Sequence, residues 1–173
     1  MVRKGSGGTV ILGIDPGLAI VGWGAIETTP RGYRVLGYGS ITTPAHTPTE
    51  DRLATIYADM NELLRRFRPD AISVEELFWN TNQTTGIRVA EARGVILLAA
   101  RQNLVSVYEY TPLQVKQAVV GYGKAEKHQV IAMVTSLLKL AKPPKPDDTA
   151  DALALAICHG HAGTNVLGKY YKM

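Results

Sequence analysis

Apolar runs that end on acids or turns alternate along this chain with longer stretches that repeat at helical spacing. Val10-Ile11-Leu12-Gly13-Ile14 is a continuous apolar run closed by Asp15, Pro16 and Gly17. Its branched residues fit a strand covered on both faces, and Pro16-Gly17 turns the chain away, leaving Asp15 at the strand's carboxyl end. Ala19 to Ile26 and Tyr33 to Ile41 read as two further strands around a turn at Thr28-Thr29-Pro30-Arg31-Gly32. Three consecutive antiparallel strands are therefore expected.

Thr47-Pro48-Thr49-Glu50 carries helix-start chemistry, and Leu53, Ile56, Tyr57, Met60, Leu64 and Phe67 follow at helical spacing. Arg65, Arg66 and Arg68 suit the negative end of that helix. After the break at Pro69-Asp70, Ala71 to Trp79 reads as a strand that again runs into acids, and Asn80 to Gly86 as a polar surface loop. Helices are expected from Ile87 to Asn103, from Leu113 to Val119 and around Val130 to Leu138, with a strand from Leu104 to Tyr110. Pro143, Pro144 and Pro146 form an extended link to a last helix from Asp147 to Ile157, which begins acidic and turns wholly apolar. Strands and helices in this order describe an α/β fold.

Composition narrows the class. A length of 173 residues makes one ordinary domain, expected over 9–163, with an arm at 1–8 and a tail at 164–173. No apolar run approaches bilayer length, and the basic start lacks an apolar signal core. The lone Cys158 cannot make an internal disulfide. A cytoplasmic protein is expected. The net charge of +4 and pI near 9.2 favour an anionic partner.

The candidate chemistry lies in acids delivered by separate elements: Asp15, one of Glu75 and Glu76, and Asp148 with Asp151. Strand alternation puts Glu75 and Glu76 on opposite faces, so at most one shares a cleft with Asp15, and spacing leaves the choice open. Asp148 and Asp151 share one face of a helical first turn, and an acid inside an otherwise apolar helix needs a cation or strong donors. Oxygen-only clusters of this charge select hard cations such as magnesium or manganese. Two such ions about 4 Å apart can activate water against a phosphodiester and stabilise the leaving oxygen. Gly121 to Lys127 reads as a flexible basic link; Lys116, Lys124 and Lys127 are candidates for neutralising phosphates, and Phe78 and Trp79 for an aromatic platform under a base. The small residues of the 87–103 helix allow close approach of a neighbour, either this chain's own sheet or a second copy.

Several ordered motifs together resemble the RuvC-type Holliday junction resolvases of the ribonuclease H-like superfamily. They are Gly-Ile-Asp-Pro-Gly at 13–17, Val-Glu-Glu-Leu-Phe at 74–78, Glu-Ala-Arg-Gly at 91–94, Gln-Val-Lys-Gln-Ala-Val-Val-Gly at 114–121, Ala-Glu-Lys at 125–127 and Asp-Thr-Ala-Asp-Ala-Leu-Ala at 148–154. The resemblance implies a mixed five-stranded sheet, three antiparallel strands first and parallel strands after, flanked by helices. It implies that Asp15, Glu75, Asp148 and Asp151 are the catalytic, metal-binding acids, choosing Glu75 over Glu76 and Asp148 over Asp147. It places Lys116 and Lys127 at DNA-binding positions and Phe78 where junction bases are engaged. It further implies Mg2+ as cofactor, with Mn2+ as substitute and two ions per site. A homodimer would nick a four-way junction symmetrically to leave 5′-phosphate and 3′-hydroxyl ends, its dimer surface on the 87–103 helix and a branch-migration helicase of the RuvA and RuvB type as partner. The chain departs from the family in the arm at 1–8, and some relatives carry histidine at the Asp148 position.

Three other readings compete. An actin-like kinase shares the strand and Gly-Ile-Asp-Pro-Gly but needs a second Gly-rich phosphate loop, and none follows. A non-catalytic junction-binding protein has no use for four acids that repel DNA. A ribonuclease H-like nuclease of structured RNA is disfavoured by Lys116 and the Ala-Glu-Lys motif.

Overall fold

The computed structural model describes residues 8–77 and 83–164. In chain order they form β1 (Val10–Asp15), β2 (Ile20–Thr29), β3 (Gly32–Thr42), α1 (Thr49–Phe67), β4 (Ala71–Glu75), α2 (Gln83–Gln102), β5 (Ser106–Tyr110), α3 (Pro112–Val120), α4 (Lys127–Leu137) and α5 (Asp147–Thr164). The strands make one sheet in the order β3-β2-β1-β4-β5. The first three strands are antiparallel neighbours, while β4 pairs parallel with β1 and β5 parallel with β4. This is the mixed sheet expected, and it makes β1 the central strand.

Strand alternation divides the apolar residues between two layers. Leu12, Ile14, Val21, Ala25, Ile72 and Val74 face α1 and α2, where they meet Ile56, Met60, Ile96 and Ala99. Ile11 and Ile26 face the other way, against Val119, Val130, Leu153 and Ile157 of α3, α4 and α5. Burial on both faces explains why β1 reads as an unbroken apolar run rather than an alternating one.

On the α5 side the centre of the sheet carries almost no side chains. Gly13 pairs with Gly24 on one neighbour and with Ser73 on the other, giving a shallow trough across β2, β1 and β4. The backbone of α5 settles into it at Ala152 and Ala156, while Ala150 and Ala154, also fully buried, lie on the helix's other side. A Cβ placed on Gly13 would stand 1.9 Å from the Ala152 carbonyl oxygen, so only glycine admits the helix backbone this close. Ser73, also fully buried, donates its hydroxyl to the Leu155 carbonyl at 2.7 Å and so satisfies a polar group inside the seat.

Element boundaries differ from expectation where polar residues set them. β4 stops at Glu75 rather than Trp79, and the predicted loop at 80–86 gives way at Gln83 to the first turn of α2. Apolar periodicity does not register a helical turn made of polar residues. β5 starts at Ser106 because Leu104, left-handed at φ 58 and 82% exposed, belongs to the exit from α2. α4 starts at Lys127 because Glu126 and Gln129 form a reciprocal cap, so the basic link is shorter than predicted. Phe78, Trp79 and most of the arm and tail at 1–8 and 164–173 lie outside the described residues. No helix among the described residues is long and apolar enough to cross a membrane.

Candidate active site

Three elements present the four acids to one cleft. Asp15 ends β1, Glu75 ends β4, and Asp148 and Asp151 lie near the start of α5, which lies over both strands. The alternation left open by sequence resolves through the register. Ser73 faces α5, so Glu75, two residues on, faces it too, one place beyond the last β1–β4 pair of Ile14 with Val74. Glu76 lies past the strand end, exposed, its amide bonded to the Tyr110 carbonyl at 2.9 Å. Asp147 is exposed and paired with Lys145 at 3.2 Å, although its charge still bears on Asp151 and Lys127.

The cleft is short of positive charge. Burial, then the negative charges of Asp151, Glu75 and Asp148, push the Asp15 carboxyl up to about 8. Burial likewise raises Glu75, with Asp151 adding to it. Burial raises Asp151 as well, against the pull of Lys127, whose ammonium is hydrogen-bonded to its Oδ2. Asp15, Glu75 and Asp151 thus sit where the charged form is under-compensated, a condition that a bound cation or an added proton relieves.

Two cavities flank Glu75. A cavity of about 280 Å³ is lined by Glu75 and Asp151 together with Lys116, Lys127 and apolar residues of α3, α4 and α5. A second, of about 190 Å³, is lined by Asp15, Glu75, Glu76, Arg93 and Pro112. Glu75 and Pro112 are common to both, so Glu75, with Asp15 and Asp151, forms a ridge between a lysine-bearing hollow and an arginine-bearing one, and Asp148 lines neither. Lys116 is held on α3 by the Thr111–Gln114 capping box, and Lys127 opens α4. Lys124 is exposed on the intervening loop and lines neither hollow.

The donor set suits a hard divalent cation: carboxylate oxygens face the cleft with no sulfur ligand beside them, and Cys158 is buried in α5. His159 is engaged with the Tyr110 hydroxyl at 2.7 Å and His161 with the Ala118 carbonyl oxygen at 3.0 Å. Among the described residues no three Asp, Glu, His or Cys side chains close on a common point; the Lys127 ammonium sits on Asp151 instead. The acids therefore share a cleft and a charge deficit without forming a finished ligand cage.

Arg93 went without a role at the sequence level although it lies in Glu-Ala-Arg-Gly. It reaches from α2 to Glu109 of β5 at 2.5 Å, its side chain only 15% exposed and its Nε buried without a hydrogen bond. Its signal was weak, because a single arginine on a helix is ordinarily a solvated residue. The glycines facing α5 gave no sequence signal beyond a Gly-rich strand.

Comparison with known proteins accounts for the whole domain. The family model described as Crossover junction endodeoxyribonuclease RuvC matches residues 11–159. A protein of that name from Alkaliphilus oremlandii is 54% identical over 154 residues, covering 89% of this chain and 94% of its own length. Its namesake from Clostridioides difficile is 53% identical over 167 residues, covering 93% and 99%. Among solved structures, Thermus thermophilus RuvC in complex with a Holliday junction substrate superposes with a TM-score of 0.87 at 37% identity, covering 95% of this chain and 98% of that one. The yeast mitochondrial Holliday junction resolvase, at 13% identity and a TM-score of 0.59, shares the fold. With the match spanning the sheet, the acid cleft and both lysine-bearing helices, this chain belongs to the RuvC family of crossover junction endodeoxyribonucleases.

Proposed function

We propose that this chain resolves four-way DNA junctions by hydrolysing one phosphodiester in each of two strands of like polarity, with Asp15, Glu75, Asp148 and Asp151 as its metal-binding catalytic acids. The observation that carries the reading is the meeting of acids from β1, β4 and α5 on a ridge beside a hollow bearing Lys116 and Lys127. Carboxylates alone would repel DNA, and lysines alone would bind it without cutting. Bound at these oxygens, Mg2+ ions, or Mn2+ in their place, would supply a nucleophilic water at neutral pH and offset charge on the leaving oxygen.

The chain's own groups account for the rest. Lys116 and Lys127 take up backbone phosphates beside the acids and fix the strand's register over Glu75. Lys124, on the loop between their helices, adds a more distant phosphate contact, and Phe78 a stacking surface for junction bases. The rigid supports of Asp15 and Glu75, each at the end of a buried strand, hold their carboxylates in place against the approach of a phosphate. Products carry 5′-phosphate and 3′-hydroxyl ends.

Symmetric cutting needs two sites, which a homodimer supplies. The exposed side of α2 is the proposed dimer surface: Ile87 and Leu98 are 51% and 52% exposed, and nothing lies within 4 Å of a Cβ built on Gly94 between them. The opposite side of α2 is already used, with Ala92, Ile96, Ala99 and Ala100 buried in the chain's own core. A branch-migration helicase of the RuvA and RuvB type is the implied further partner, and the domain is taken as 9–163 between the arm and the tail.

The test is incubation with a four-way junction, a linear duplex and a single strand, each with magnesium or with chelator. Paired symmetric nicks confined to the junction and abolished by chelator are expected. Equal cutting of all three, or cutting that survives chelation, overturns the reading.

A further inference from the structure

The four acids lie on three elements, so the spacing of Asp15 and Glu75 from Asp148 and Asp151 depends on how closely α5 approaches the sheet. Gly22 occupies the decisive point. It is the ladder partner of Asp15 in the β1–β2 pair, so the direction its missing side chain would take is the one Asp15 takes, toward α5. A Cβ there would stand 2.0 Å from the Asp148 carbonyl oxygen, 2.3 Å from its carbonyl carbon and 3.0 Å from its Cβ. All three atoms belong to Asp148 itself.

We propose that Gly22 is a positioning residue for cleavage: by presenting no side chain opposite Asp15, it lets the first turn of α5 lie against β2 and sets the separation of Asp148 and Asp151 from Asp15. The proposal rests on the reading of those acids as the catalytic set. Backbone cannot swing aside as a side chain can, so a methyl group at 22 must lift the Asp148 peptide by an ångström or more. Gly24, two residues on, differs in kind: a Cβ there meets the buried Leu153 side chain at 2.5 and 2.7 Å and the Leu153 Cα at 3.3 Å, so the clash falls on a core residue past the acids rather than on the Asp148 peptide. The first turn of α5 is also pinned by the Thr149 hydroxyl donating to the Gly39 carbonyl at 3.1 Å, and six residues later the helix is held by Ser73 on Leu155. The helix therefore has little freedom to take up the displacement by sliding, and the strain falls on the acids.

The test compares Gly22→Ala with Gly24→Ala by thermal melting, by calorimetric titration of the DNA-free protein with manganese, by junction binding in chelator, and by kcat and KM. Gly22→Ala is expected to lower kcat about 100-fold, the scale of a one-ångström misplacement in a reacting site. It should also weaken manganese binding while leaving junction affinity in chelator at the wild-type level. Gly24→Ala is expected to lose melting temperature yet keep kcat and manganese affinity. Wild-type kcat and manganese binding in Gly22→Ala, or equal losses in both variants, overturn the proposal. If Gly22→Ala does not fold, Ser73→Ala decides: weakened manganese binding with unchanged junction affinity supports the positioning of α5, and unchanged manganese binding defeats it. Asp15→Asn run alongside separates the two levels: its full activity sinks the site itself, whereas its inactivity beside a normal Gly22→Ala sinks the positioning alone.

Discussion

Lys127, the first residue of α4, places its ammonium on the carboxylate of Asp151 near the start of α5. The pair joins the cationic wall of the cleft to its acidic ridge. Burial works against the Lys127 charge, but the hydrogen bond and charge of Asp151, together with the charges of Asp15 and Asp147, hold its proton more firmly than usual. The same lysine lines the larger hollow beside Lys116, which gives it two competing attractions, the acid and an incoming phosphate.

Lys127→Ala and Lys116→Ala should each weaken junction binding and reduce the slope of log affinity against log salt by about one, the change expected from losing one phosphate contact. Binding measured across a salt series checks this. An unchanged slope removes the residue from the phosphate contacts.

Asp15→Asn and Glu75→Gln should bind the junction at wild-type affinity in chelator and lose cleavage by more than about 100-fold, the upper range seen for merely outer-shell partners of a metal. Both replacements keep shape and remove charge. Gel-shift and cleavage assays on the same preparation measure the two effects separately, and full activity in either variant removes that residue from the site.

The raised acids make the metal-free protein sensitive to alkali. Burial and neighbouring acids push the Asp15 carboxyl up to about 8 in the fold from its ordinary 3.8, so its proton favours the folded state. Its contribution is fully present below pH 4, declines as pH rises and is gone above about 8, and Glu75 and Asp151 act in the same direction. In chelator the melting temperature should fall between pH 5 and pH 9, and Asp15→Asn should flatten the fall by a few degrees, on the scale of about 2–4 °C per kcal/mol for a chain of this size. Equal slopes in the two proteins contradict the account.

Gly94→Arg should leave the protomer folded, because the position is open, and should give a monomer if the exposed side of α2 is the dimer surface. Light scattering reads the mass, and a melting curve checks the fold. A dimer that persists points to another surface.

Much of this protein was legible in the residues alone. The apolar run Val10–Ile14, the breaks at Pro16-Gly17 and Pro69-Asp70 and the spacing from Leu53 to Phe67 identified strands and helix correctly, since burial pattern and backbone punctuation are local properties. The acids at two strand ends and one helix start were visible for the same reason. Polar helix turns, such as the start of α2 at Gln83, were not, because nothing apolar marks them.

Tertiary structure alone decided the relations between elements. Alternation could say that Glu75 and Glu76 diverge, but only pairing with β1 makes the Ser73–Glu75 face the one that α5 covers. Lys127 looked like a residue in a flexible basic link until the Glu126–Gln129 cap placed it at a helix start, opposite Asp151. Gly13, Gly22 and Gly24 read only as a small-residue pattern, since a glycine's importance lies in what comes near it, and what comes near these is a helix more than 120 residues away along the chain. Local chemistry supplied the acids; the distance between them is a property of packing.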